Sequence, residues 1–99
     1  MDHDDLEIRR EALISDLEKL AAGWTPDAAM LASCPLLDQW SVVHYPGTTD
    51  LAMQGWVTNH PRLREGWCTT SPIRAMDLPG RWIRTHGRFY RLGKRDFDA

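Results

Sequence analysis

The stretch RWIRTHGRFYRLGK, residues 81–94, decides which class of fold this chain can adopt. Arginines recur at 81, 84, 88 and 91, with Arg95 just beyond. A helix would gather them into one stripe, as in a helix that reads a DNA groove. A strand would sort them differently, and three features favour the strand. Gly87 in mid-segment would cost a helix about 1 kcal/mol relative to alanine. Trp82, Ile83, Thr85, Phe89 and Tyr90 suit a pleated, half-buried surface. Like charges stacked at helical spacing repel one another. Strict alternation still mixes charged and apolar groups on each face. A bulge at His86–Gly87 would shift the phase by one residue and separate them. Ile83, Thr85, Tyr90 and Leu92 then share an inner face, and Trp82, Arg84, Phe89 and Arg91 an outer one.

The remaining chain divides in two. Residues 4–22 read as an amphipathic helix, with Leu6, Leu13, Leu17 and Leu20 near one face. Its acids cluster at the start, where the helix dipole favours them, and Gly23 suits the position that ends it. Thr25 can cap a second short helix with Pro26 in its first turn, ending before Pro35. A short turn over 36–40 and an extended SVVHY follow, and PGTTD reads as a loop. From Leu51 the texture is that of strands: LAMQGWVTN, WCTTSPIRAMD and RWIRTHGRFYRL, joined by HPRLREG and LPG. Pro72 cannot donate to a ladder, so it belongs at an edge or a bulge. The expected fold class is α+β. The N-terminal amphipathic helix, with the short second one, packs on a three-stranded antiparallel β-meander. One domain spans 1–99, mainly helical over 1–40 and a meander over 51–93.

Ninety-nine residues leave room for one core, and 42% hydrophobic content suffices to fill it. Three or four of the five tryptophans are expected inside, with Trp82 as the exposed one. No apolar run is long enough to span a bilayer. The acidic opening MDHDDLEIRR is unlike a signal peptide, so a cytoplasmic location is expected. Cys34 and Cys68 then stay reduced and need not pair. The net charge of −2 hides an asymmetry, with ten acids against three bases in residues 1–59 and nine bases against four acids in 60–99. Such polarity suits an internal match, a head-to-tail association or a partner that reads one pole.

Reactive residue types are present without a chemical motif. Cys34, His44, His60, Cys68 and His86 have no metal-ligand spacing. Cys68 with His60, or Ser71 with His86, could form a dyad, but neither sits on a nucleophile elbow or helix N-terminus. Gly66 and Gly80 are isolated, so no phosphate loop is formed. No catalytic residue, metal or cofactor is expected. His60, just before Pro61, reads as a turn device whose ring accepts a backbone hydrogen bond.

Residues Gly55, Val57, His60, Pro61, Gly66, Thr70–Ile73, Trp82, Arg84, Thr85, Arg88 and Tyr90–Gly93 carry a resemblance. They are similar to a signature, ending TSPI…WxRTxxRxYRLG, of a family of small uncharacterised proteobacterial proteins. It covers about two fifths of the chain. Asn59 stands where that family tends to have glycine, and Gly87 where it tends to have serine. The resemblance implies no particular activity. Families of this sort often sit on plasmids or prophages, which points to regulation or interference with host defence.

Three functional expectations follow. In the first, the chain is a non-enzymatic interaction protein. Its basic-aromatic strand face (Trp82, Arg84, Arg88, Phe89 and Arg91) engages an anionic partner, either nucleic acid or a nucleoprotein. The bland counterpart has those arginines solvated, or paired with the acidic helix. In the second, a mobile-element inhibitor of a defence nucleoprotein, of anti-CRISPR or anti-restriction type, uses an acidic face of Asp4, Asp5, Glu7 and Glu11 to mimic phosphates. The third is a small enzyme using Cys68 and His60. No membrane partner is expected, and an unpaired sheet edge offers a route to a homodimer.

Overall fold

The computed structural model describes residues 3–96. Helix α1 covers His3–Ala21 and ends as its sequence requires. Gly23 adopts φ +98°, Gly23 N–H donates to Leu20 O, and Trp24 N–H reaches back to Lys19 O. Those bonds satisfy carbonyls that the helix leaves open. Helix α2 is shorter than expected, Ala28–Ser33, and Asp27 rather than Thr25 caps it. The Asp27 carboxylate accepts from Met30 N–H at 2.8 Å. Among the described residues, no helix is long and apolar enough to cross a membrane.

The β region is not a three-stranded meander. It has six strands: β1 (Leu36–His44), β2 (Leu51–Thr58), β3 (Gly66–Thr69), β4 (Ile73–Asp77), β5 (Trp82–Thr85) and β6 (Phe89–Leu92). They form one mixed sheet in the order β3-β2-β1-β6-β5-β4, antiparallel except where β1 runs parallel to β6. Each extra strand has a physical cause. The turn expected at 36–40 is the first half of β1, hidden in the sequence because Gln39 bulges at φ 49°. The extra residue lets Leu37 and Trp40, three apart, both face inward. Gly55 makes the bulge possible, since a Cβ there would lie 3.0 Å from Asp38 O and 3.4 Å from the Trp40 Cα. The run 67–77 breaks at Ser71–Pro72 into two strands. The run 82–92 is a tight hairpin, not one bent strand.

That hairpin still sorts the faces as expected. Ile83 pairs with Tyr90, Trp82 with Arg91, and Arg84 with Phe89, so directly opposed residues share a face. A turn at 86–88 produces the sorting, and no bulge at His86–Gly87 is needed. Thr85, fully buried, fastens the turn: its N–H donates to Arg88 O at 2.8 Å, and its Oγ1 accepts from Gly87 N–H and Arg88 N–H.

The sheet is curled. Strands β3 and β4 are its opposite edges, yet only residues 70–72 separate them. Six flat strands would put those edges about 24 Å apart. The Cα steps from Thr69 to Ile73 reach at most about 14 Å. The edges therefore close toward each other. Thr70 sits at the seam, where its N–H donates to Met53 O at 2.8 Å and its Oγ1 accepts from Met53 N–H at 3.0 Å. Pro72, which has no N–H to give, offers its carbonyl to His86 N–H at 2.8 Å. Inside the curl lie Leu37, Trp40, Met53, Val57, Ile83, Tyr90 and Leu92, with Cys68 and Ile73 against them. Of the five tryptophans only Trp40 and Trp82 are buried.

Candidate binding site

The turn after β2 begins with Asn59 at φ 60°, a conformation asparagine tolerates. His60 then folds back on it. Its Nδ1 accepts from Arg62 N–H and Leu63 N–H, both at 3.0 Å. The ring is thus the turn device its position before Pro61 suggested. With Nδ1 so engaged, the neutral ring carries its proton on Nε2. Partial burial, with the positive charges of Arg88 and Arg62, pushes the His60 pKa down. The neutral form is the one that can hold this turn.

Beside His60 opens a cleft of about 560 Å³. It lies between the end of α2 (Met30, Ser33, Cys34), the Asn59–Pro61 turn and the tip of the β5–β6 hairpin (Gly87–Phe89). Asp16 and Arg84 stand at its wall, and Asp16 Oδ2 lies 2.9 Å from Arg84 Nε. Arg84 also donates to Thr85 O at 2.8 Å. Arg88 is different: it is half-buried in the same wall, and among the described residues no carboxylate lies within 4.0 Å of it. Ser33 Oγ–H and Cys34 S–H both turn back to Met30 O. The polar groups left to the cleft are the Arg88 guanidinium, the His60 Nε2–H, the Asn59 amide, which reaches Cys34 O only at a long 3.5 Å, and the second carboxylate oxygen of Asp16, whose charge Arg84 balances.

The outer strand face named from the sequence exists but is covered. Trp82, Arg84 and Phe89 are 5%, 2% and 6% exposed. Helix α1 lies against them through Asp16, and the Trp24 ring meets Phe89 edge-on at 6.1 Å. Arg84 is covered through its pairing with Asp16, and Phe89 lies between the Trp24 and Trp82 rings, 6.1 and 5.6 Å away. Trp82 is thus not the exposed tryptophan, and only Arg88 and Arg91 of the five residues reach solvent. The pairing of arginines with the acidic helix holds for Arg84 alone. Glu7 and Glu11 are exposed on α1, whereas the side chains of Asp4 and Asp5 lie outside the described residues.

Among the described residues no hydrogen bond joins Cys68 to His60. Cys68 is half-buried on the inner face of β3, and burial pushes its thiol pKa up. His60 spends its acceptor nitrogen on the turn. Burial also raises the Cys34 thiol, an effect that Arg91 and Arg88 only partly oppose. Among the described residues, no group of three His, Cys, Asp or Glu could hold a metal ion.

Sequence reasoning missed Asn59 as a cleft residue, and it missed the pair Trp56 and Trp67. These two are directly opposed across β2 and β3, edge to face at 5.8 Å, and 37% and 56% exposed. Each directly follows a glycine, Gly55 and Gly66, and the two flank the connection between neighbouring strands, which was the available signal.

Fold and site together define a small α/β domain: one curled mixed sheet, a covering helix and an open cationic cleft. Residues 9–99 match the model of a family of unknown function, DUF6634, and the chain belongs to that family. No curated protein and no solved structure matches it.

Proposed function

We propose that this chain is a non-enzymatic binding protein that takes an anionic partner, nucleic acid or nucleoprotein, at the cleft beside Arg88. One observation carries the reading. Two neighbouring arginines line one wall, and Arg84 is matched by a carboxylate while the half-buried Arg88 is not. A partly desolvated guanidinium binds an oxyanion more strongly than a solvated one, and bidentate geometry adds selectivity. The His60 Nε2–H and the Asn59 amide supply uncharged donors on the opposite side. In this reading the working surface moves from the covered strand face to the hairpin tip and its surroundings, with Arg88 retained and Arg91 outside the cleft. Calorimetric titration with inorganic pyrophosphate at low salt tests this. Saturable binding that disappears in Arg88→Glu is expected, and equal binding by that variant contradicts it.

A second reading rests on Glu7 and Glu11. Both are exposed, and among the described residues neither has a base within 4.0 Å. An inhibitor encoded by a proteobacterial mobile element could present them as phosphate mimics to a defence nucleoprotein. Inhibition would then be lost in Glu7→Lys/Glu11→Lys and kept in Arg88→Glu, the reverse of the first reading.

A further inference from the structure

The outer face of strands β1, β2 and β3 carries a second concave surface. Directly opposed residues share a face. The ladder sets Trp67 opposite Trp56 and Trp56 opposite Asp38, with Thr69 opposite Gln54 and Gln54 opposite Ser41. An open groove of about 450 Å³ crosses these strands, lined by Gln39, Ser41, Gln54, Trp67 and Asp96. The bulge in β1 turns Trp40 inward and leaves Gln39, at φ 49°, exposed on the groove. Trp67 is 56% exposed, and Trp56 meets it edge to face at 89°. In either sense of that contact, Trp56 leaves at least one face of the Trp67 ring open. Trp56 is itself held, since its Nε1–H donates to Glu65 Oε1 at 3.0 Å.

The chemistry of the lining selects the ligand. Among the described residues, the side chains of Gln39, Ser41 and Gln54 and the Trp67 Nε1–H have no hydrogen-bond partner. Two amides and a hydroxyl both donate and accept, as the hydroxyls of a sugar do. A phosphate would find no base in the lining and would meet Asp96, with Asp38 and Glu65 beside the rings. A cation suits Asp96 and the indole, but it offers no acceptor to the amide and hydroxyl donors. The negative face of an indole also matches the weakly positive C–H bonds on the flat side of a pyranose. We propose that this groove binds a neutral saccharide, with a pyranose ring stacked on Trp67 and its hydroxyls bonded by Gln39, Ser41 and Gln54. The groove shares no lining residue with the Arg88 cleft, and the saccharide site does not rest on the anion site.

Two-dimensional NMR of the nitrogen-labelled chain, titrated with cellotetraose and with maltotetraose, tests it. An open groove covers one side of its ligand, so a Kd of about 1 mM is expected. The Trp67 Nε1–H signal and the side-chain amides of Gln39 and Gln54 should shift saturably. Trp67→Leu, which keeps bulk without a π-face, should weaken binding about fivefold, and Trp67→Phe less. Gln54→Met, which keeps length without the amide, should weaken it about threefold. Dispersed spectra of each variant show that the fold is kept. Absence of saturable shifts with either sugar, shifts confined to other surfaces, or equal binding by Trp67→Leu overturns the proposal. So does tighter binding of trilysine, which would mark a cation site. Trp67 shifts on raising the protein concentration alone would also overturn it, since they would mark a second copy on this face.

Discussion

Asp16 Oδ2 lies 2.9 Å from Arg84 Nε, joining helix α1 to strand β5 across 68 residues of sequence. The side chain of Arg84 is 3% exposed, so its charge depends on that contact. Asp16→Ala would leave a buried cation with the Thr85 carbonyl and the face of the Phe89 ring, 5.4 Å away, but no counter-charge. Since Asp16 itself is partly solvated, a loss of about 2–4 kcal/mol is expected, toward the low end of broken buried pairs. The double variant Asp16→Leu/Arg84→Met should recover much of it, because apolar replacement removes both desolvated charges. Urea denaturation measures both, and equal loss in the two variants would show that the pair itself is not what matters.

Two glycines should behave oppositely. Gly55→Ala puts a Cβ 3.0 Å from the Asp38 carbonyl, where only backbone movement can relieve it. A loss of about 1–3 kcal/mol is expected, as for other overpacked sites. At Gly87 the nearest atom to an added Cβ is Ser71 Oγ at 3.7 Å, an ordinary contact, and the backbone φ is not positive. Gly87→Ser should therefore stay within about 0.5 kcal/mol of the parent. Thermal or chemical unfolding of the two variants side by side gives the comparison.

Comparing those glycines shows how much was legible in the sequence. Helix α1, its Gly23 stop and the His60 turn were readable because their signals are local. The face sorting of residues 82–92 was also readable, because it depends only on which residues can share a side. The number of strands was not. Gln39 is an unremarkable residue whose bulge is set by partners 15 or more positions away, and Pro72 marks a break without saying that the halves go to opposite edges. The burial of Arg84 depends on Asp16 of α1 and that of Phe89 on Trp24 beyond it, non-local contacts that no strand pattern encodes. Arg88 was legible as a candidate, but its lack of a counter-charge beside a neutralised Arg84 was not.

His60 should make stability fall with acid. Its folded pKa lies below the ordinary 6.5 of the unfolded chain, owing to burial and to Arg88 and Arg62. Below pH 6.5 the unfolded state therefore binds more protons, and stability drops as pH falls toward the folded pKa. Above pH 6.5 this contribution is fully present. Denaturation at several pH values, with NMR titration of the ring, should show the slope in the parent and its absence in His60→Ala. A ring titrating above the ordinary 6.5 would contradict the lowered pKa.

Both thiols should be slow nucleophiles. Burial raises the pKa of Cys34 and of Cys68, so little thiolate exists near neutral pH. Alkylation by iodoacetamide should be several-fold slower in the folded chain than after unfolding, and Cys68→Ala should leave anion binding intact. Fast modification of Cys68 in the folded state would favour the enzyme reading.

The central claim is that Arg88 gives the cleft its anion affinity. The most direct measurement is a two-dimensional NMR titration with pyrophosphate at low salt. The account predicts saturable shifts at Asn59, His60 and the Gly87–Phe89 tip, and their loss in Arg88→Glu. Shifts confined to other surfaces, or an unchanged pattern in that variant, would contradict it.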